Sequence, residues 1–257
     1  MNKRQTDALL TELRERMSDM LAAAHLLTPL IRKSGSPADK EYLAAMNKSL
    51  FQLIRLLRHA DVCEQEEVYC REEPIDLAGL CRDVGRLCED MSRLLNVSFD
   101  WSLGESSVLS LADNYLLEVA LFNVLTNAFE AAGEGGAVRL KGGLVDGFWR
   151  VTVEDTGPGL QSWPEPSDPF LKQPGGVGLG LEAARRILSL HGGTLMLDNG
   201  KEGGVRAVIS LPVKKPSRDQ LLQSPVTACG PWGGFPPVMI EFSPLLPPKA
   251  FRAEEPD

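Results

Sequence analysis

Apolar residues recur at alternating steps of three and four along two stretches near the start of the chain. Leu10, Leu13, Met17, Met20, Ala24, Leu27 and Ile31 form the first, and Leu43, Met46, Leu50, Leu53, Leu57 and Ala60 the second. Such a pattern repeats every seven residues, so each stretch predicts a helix with one apolar seam for a partner. Pro29 bends or ends the first helix, because proline interrupts the hydrogen-bond ladder. Arg32-Lys33-Ser34-Gly35 reads as a turn, and Ser36-Pro37 with Asp39 and Glu41 as the cap and first turn of the second helix. A hairpin with one seam per helix is unstable alone. Two copies make a four-helix bundle, which predicts a homodimer through the N-terminal helices.

Beyond residue 64 the pattern changes. Glu64 to Pro74 is acidic and connects two domains, with a short strand near Val68. Asp76 caps a helix whose apolar face is Leu77, Leu80, Val84, Leu87, Met91 and Leu94. Strands follow at 97–102 and 107–111, and Asp113 opens a helix running through Ala128. On it Val119, Phe122 and Thr126 share one face, while Asn123 and Asn127 stand a turn apart on another. Val138 to Lys141 and Trp149 to Val153 read as a hairpin pair. The tail holds nine of the chain's 18 prolines, and within it Pro237-Val238-Met239-Ile240-Glu241-Phe242 reads as a strand. Such a strand adds to a sheet edge, is presented to a partner, or docks as a strap. The predicted fold is α+β. A helical dimerisation hairpin occupies 1–66, a two-layer α/β sandwich with a mixed sheet 67–213, and a Pro-rich extension 214–257.

The chemistry concentrates between Glu154 and Leu181. Asp155-Thr156-Gly157-Pro158-Gly159 follows a strand, and Gly175-Gly176-Val177-Gly178-Leu179-Gly180 opens a helix. Strand, acid, Gly-x-Gly, then Gly-x-Gly and helix brings backbone N–H groups against phosphate, with the positive helix end behind them. The second turn lacks the strand that precedes a dinucleotide fingerprint, and no Gly-Lys-Ser/Thr follows as in a Walker loop. The two helical amides, Asn123 and Asn127, can reach a divalent ion and its waters, which prefer oxygen ligands.

Asn-x-x-x-Asn, Asp-x-Gly-x-Gly and Gly-x-Gly-x-Gly, in that order, resemble the ATP-binding domain of sensor histidine kinases, of the Bergerat type shared with DNA gyrase and the MutL ATPases. The resemblance continues through His191-Gly192-Gly193-Thr194 and the closing strand Gly203 to Pro212, and covers about residues 97–213. It implies that Asp155 accepts the adenine amino group and that Asn127, with Asn123 helping through water, holds Mg²⁺ between the phosphates of ATP. It further implies that Gly157 and Gly159 pass close to the base. Gly176, Gly178, Leu179 and Gly180 then line the phosphates, and Leu160 to Pro174, with Lys172 as its one cation, forms a short lid. A gyrase-type ATPase carries a glutamate base where this chain has Asn123, so slow hydrolysis is implied. The hairpin corresponds to the family's dimerisation element. There Thr11 stands where the phosphoacceptor histidine is usual, although Glu12, Leu13 and Arg14 fit the motif, with Glu12 as its catalytic acid. His59 falls at the height of Thr11 on the second helix, next to the seam residue Ala60. It is expected on the outer face as an exposed surface histidine, and it is also the substitute acceptor in cis. The implied function is phosphoryl transfer from Mg-ATP to a histidine in a two-component pathway, with a response regulator or another kinase as partner. Two alternatives stay open: a catalytically inactive ATP-binding scaffold, and a serine/threonine kinase of the anti-sigma type.

Composition narrows the partners. A formal charge of −8 argues against bulk attraction to nucleic acid or an anionic membrane. No apolar run reaches the length of a membrane span and no signal peptide precedes Asp7, so a cytoplasmic protein is expected. Five cysteines without a Cys-x-x-Cys pair fit reduced thiols, Cys81 and Cys88 sharing a buried helix face.

Overall fold

The computed structural model describes Met20 and residues 36–64, 68–160, 179–200, 203–217 and 235–251. The chain divides into two compact units, residues 66–228 in one and residues 1–65 with 229–257 in the other. In chain order the elements are α1 (Pro37–Glu64), β1 (Glu73–Asp76), α2 (Leu77–Leu95), β2 (Ser98–Leu103), β3 (Leu109–Ala112), α3 (Asn114–Ala132), β4 (Ala137–Val145) and β5 (Phe148–Asp155). There follow α4 (Leu179–Leu190), β6 (Thr194–Asn199), β7 (Val205–Pro212), α5 (Pro237–Glu241) and a 3₁₀ turn (Pro248–Phe251). Among the described residues no helix is long and apolar enough to cross a membrane.

The larger unit is the expected sandwich. Its sheet runs β2-β4-β5-β7-β6, with β2 parallel to β4 and the other neighbours antiparallel. Strand residues alternate, so Val138, Leu140, Trp149, Val151, Val153, Ala207 and Ile209 face inward and are buried. Leu77 and Cys81 of α2, Leu117 of α3 and Leu188 of α4 meet Trp149, Val151 and Ile209 there. The helices thus cover one face. β4 and β5 join through Asp146-Gly147, both with positive φ (51° and 79°), as a two-residue hairpin turn requires. Asp76 caps α2 by accepting Ala78 N–H, and Asp113 caps α3 by accepting Leu116 N–H. The strand expected near Val68 lies instead at Glu73–Asp76, where β1 pairs antiparallel with β3. Burial pushes the Cys81 thiol up to about 12 and the Cys88 thiol higher still, so both stay protonated apolar side chains.

In the smaller unit Ser36 and Asp39 bond reciprocally at the start of α1. The buried face of α1 differs from the expected seam. Leu43 and Leu50 are buried as expected, but Met46 and Leu53 are 44% and 47% exposed, and Ala44, Phe51, Ile54 and Val62 are buried instead. The face is rotated because the C-terminal segment packs on it. Phe51 stacks against Phe235 and Phe251, with ring centroids 5.2 Å away in each case.

That segment is not the expected strand. Val238, Ile240 and Phe242 are buried, but so are Glu241 and Ser243, so burial does not alternate as in a strand. Pro236 and Pro237 also give up two successive ladder donors, whereas proline at the first helical position is already set for a helix. Phe242 N–H bonds Val238 O at 2.9 Å and Leu246 N–H bonds Phe242 O at 3.1 Å, so a short helix and turn result. The tail is a strap docked on α1, one of the three fates expected for it.

Candidate nucleotide site

The candidate residues lie on three segments of the sandwich: the last turns of α3, the turn leaving β5, which packs against Ala131 of α3, and the start of α4. On α3, Asn123 is fully buried and its Nδ2 donates to Val119 O at 2.9 Å. The Asn127 Nδ2 donates to Asn123 O at 2.8 Å. Each amide spends its donor on the preceding turn and keeps its oxygen for something else. Asn123 Oδ1 and Thr126 Oγ1 are buried without a hydrogen-bond partner. A buried orphan carbonyl costs about 1–3 kcal/mol, which makes Asn123 Oδ1 a candidate for completion by a ligand's water. Oxygen donors at these positions suit a hard cation such as Mg²⁺.

Asp155 ends β5 and is 8% exposed. Its Oδ1 accepts Gly157 N–H at 2.8 Å and Val205 N–H at 3.2 Å. Burial pushes its carboxyl up, and these two N–H groups pull it back only in part. Oδ2 accepts no bond from the described residues and stays available as an acceptor. The turn after Asp155 is held on both sides: Thr156 exchanges bonds with Ala137, and Leu160 N–H bonds Asn199 Oδ1 at 2.7 Å. Glycine is required where the turn passes α3, because a Cβ on Gly157 would lie 2.6 Å from Ala131 O. It is required again at Gly204, whose φ is +70° and whose Cβ would lie 1.8 Å from Asp155 O. Gly159 has a φ of +78° beside Asn199.

Leu179 and Gly180 form the first residues of α4, whose opening N–H groups have no acceptor within the helix and favour an anion. Lys172, Gly176 and Gly178 lie outside the described residues, as do Thr11 and Glu12 on the hairpin. The structure therefore places Asn123 and Asn127 a turn apart on α3, Gly157 against Ala131 of the same helix and bonded to Asp155, Gly159 beside Asn199, and Leu179 and Gly180 at the start of α4. Gly204, Val205 and Asn199 were missed in the sequence. Gly203-Gly204 is a visible signal, read above only as part of the closing strand.

His59 corrects an expectation. It is not on an outer face but 3% exposed, in the smaller unit, with Nε2 3.0 Å from Glu241 Oε2. The Arg55 Nε and the Arg58 guanidinium bind the same carboxylate. The cause is the strap, which covers this face of α1. Burial pushes His59 below its ordinary value, against the pull of Glu241. Burial alone would raise Glu241, but Arg58, His59 and Arg55 hold it below the usual carboxylate range. His191 ties helix ends together, its Nδ1–H donating to Ile187 O and its Nε2 accepting Asp113 N–H.

Comparison with known proteins agrees with this geometry. Residues 112–215 match the family model described as histidine kinase-, DNA gyrase B-, and HSP90-like ATPase. The alginate biosynthesis sensor protein KinB of Pseudomonas aeruginosa is 25% identical over 79% of the chain and 35% of its own length. The C4-dicarboxylate transport sensor protein DctB of Rhizobium meliloti is 36% identical over 38% of the chain and 17% of its own length. The chain thus spans about a third or less of these curated relatives. Full-length ShkA in complex with AMPPNP superposes with a TM-score of 0.66 at 24% identity, over 84% of this chain and 47% of that one. Histidine kinase ThkA in complex with response regulator TrrA gives 0.56 at 23% identity, over 83% and 64%. Fold, glycine-lined turn and paired asparagines coincide with the segment that the family model covers, so residues 112–215 are similar to the histidine kinase-, DNA gyrase B-, and HSP90-like ATPase domain.

Proposed function

We propose that the chain binds Mg-ATP in the larger unit and serves as a phosphoryl donor in a two-component pathway. The observation that carries this is Asp155, a buried carboxylate fixed through Oδ1 with Oδ2 left as an acceptor. Adenine offers an amino donor of that kind. Asn127, with Asn123 beside it, would hold Mg²⁺ through the oxygens their intrahelical bonds leave over. Mg²⁺ supplies charge neutralisation between phosphates. Gly180 and Leu179 at the start of α4 would face the phosphates, together with Gly176, Gly178 and Lys172. Asn123 has no proton-accepting base and donates its amide to Val119 O, which supports slow hydrolysis and transfer to another acceptor.

The acceptor histidine is best sought on a partner protein. Position 11 is threonine, and His59 is shielded by Glu241. These two facts also favour a second reading, a nucleotide-dependent scaffold that regulates another kinase or a response regulator. The homodimer remains part of the proposal, supported by the exposed apolar stripe Tyr42, Met46, Leu53 and Leu56 on α1. Incubation with Mg²⁺ and γ-labelled ATP, with gel separation before and after acid, separates the readings. Acid-labile label on a histidine of a response-pathway partner supports the kinase, and nucleotide binding with no label on any protein supports the scaffold.

A further inference from the structure

Among its described residues the strap has no strand and, besides the 3₁₀ turn, one short helix, so α1 supplies its order. Every polar contact between them in the described residues runs from an α1 donor to a strap oxygen. Asn47 Nδ2 bonds Phe251 O at 3.3 Å, and Lys48 Nζ bonds Leu246 O at 2.7 Å and Pro244 O at 3.3 Å. Arg55 Nε, the Arg58 guanidinium and His59 Nε2 all bind the Glu241 carboxylate. An ionised carboxylate only accepts, so the His59 proton sits on Nε2. With Phe51, these positions lie on one face of the helix and span about 18 Å.

Main-chain carbonyls are common to any peptide, so the Asn47 and Lys48 contacts would accept many sequences. Selectivity rests on one carboxylate received by three convergent donors and on aromatic rings packed against Phe51. Desolvation cancels much of the attraction in a buried ion pair, so this cluster sets register more than it adds affinity. A segment with the same chemistry can therefore replace the strap at little net cost.

We propose that this face of α1 is a docking site for an acidic segment of a partner protein, of apolar–acid–aromatic form, which the chain's own Ile240-Glu241-Phe242 occupies at rest. The warrant is charge complementarity, and it is independent of the nucleotide site.

The test uses full-length protein and a fluorescein-labelled peptide copying residues 235–251, added in trans. Glu241→Gln weakens the resident strap, so this variant captures the peptide about tenfold more tightly than wild type, where the strap competes. Adding Arg58→Gln removes that gain. Hydrogen exchange of amides 238–246 speeds up in Glu241→Gln. If that variant keeps its circular dichroism, its slow exchange in the strap and its indifference to peptide, the strap is a permanent part of the fold and the proposal fails. If Glu241→Gln instead forms dimers that the peptide dissolves, the occupant is a second copy, which overturns the partner assignment. Should Glu241→Gln not fold, Glu241→Asp, which shortens the carboxylate on the strap and leaves every α1 donor in place, carries the same comparison.

Discussion

At Asp155 the requirements of binding and stability oppose each other. Its burial raises the carboxyl's affinity for a proton in the native state. A raised native value means stability is fully present below the unfolded value and lost as pH rises through the native one. The ionised form is therefore a burden on the free protein. Asp155→Asn keeps an oxygen for Gly157 and Val205 but presents an amide donor to the adenine amino group. Thermal melting should show equal or higher stability without nucleotide, while ATP affinity falls by about 2 kcal/mol, the worth of a charged hydrogen bond. ATP affinity of the wild type should also fall as pH drops through the raised value, because the acceptor gains a proton.

Gly204 gives a second residue-scale test. Gly204→Ala places a methyl 1.8 Å from Asp155 O at positive φ and should cost about 2–4 kcal/mol in urea unfolding. Gly135→Ala has a φ of +78° but nothing within 4 Å, and should cost about 1 kcal/mol. Asp155 was legible in the sequence because its glycines are local. Val205 is 50 residues away and Glu241 is 182 residues from His59, so neither contact leaves a mark in any local pattern.

Elements were legible where one local rule applied. Asp76 and Asp113 announced their helices as caps, alternation announced β4 and β5, and the family resemblance announced β7. The rule failed on α1 and on the strap, whose structures depend on each other. A heptad fixes an apolar seam, but which neighbouring stripe is buried depends on what packs there. Ile54→Ala should cost the smaller unit about 3 kcal/mol, as for other buried aliphatic truncations. Leu53→Ala, half-exposed on the adjoining stripe, should leave stability nearly unchanged. Leu53→Asp should reduce the dimer fraction in size-exclusion light scattering while the helix signal in circular dichroism stays.

At the scale of the whole molecule, the two units are proposed to carry two separable tasks. The larger holds the Asp155 carboxylate after β5, the paired asparagines of α3 and the start of α4. The smaller combines α1, whose exposed stripe suits self-association, with a strap latched by Glu241. The likeness of the ATPase domain was readable from motif order alone, whereas the strap's place on α1 required the tertiary contacts. The central claim is that the sandwich holds ATP through Asp155. It is tested most directly by titrating full-length protein and its Asp155→Asn variant with a fluorescent ATP analogue, with and without Mg²⁺. Saturable binding that unlabelled ATP competes, that Mg²⁺ strengthens and that Asp155→Asn weakens about thirtyfold is the predicted result. No saturable binding, or equal binding by the variant, would contradict it.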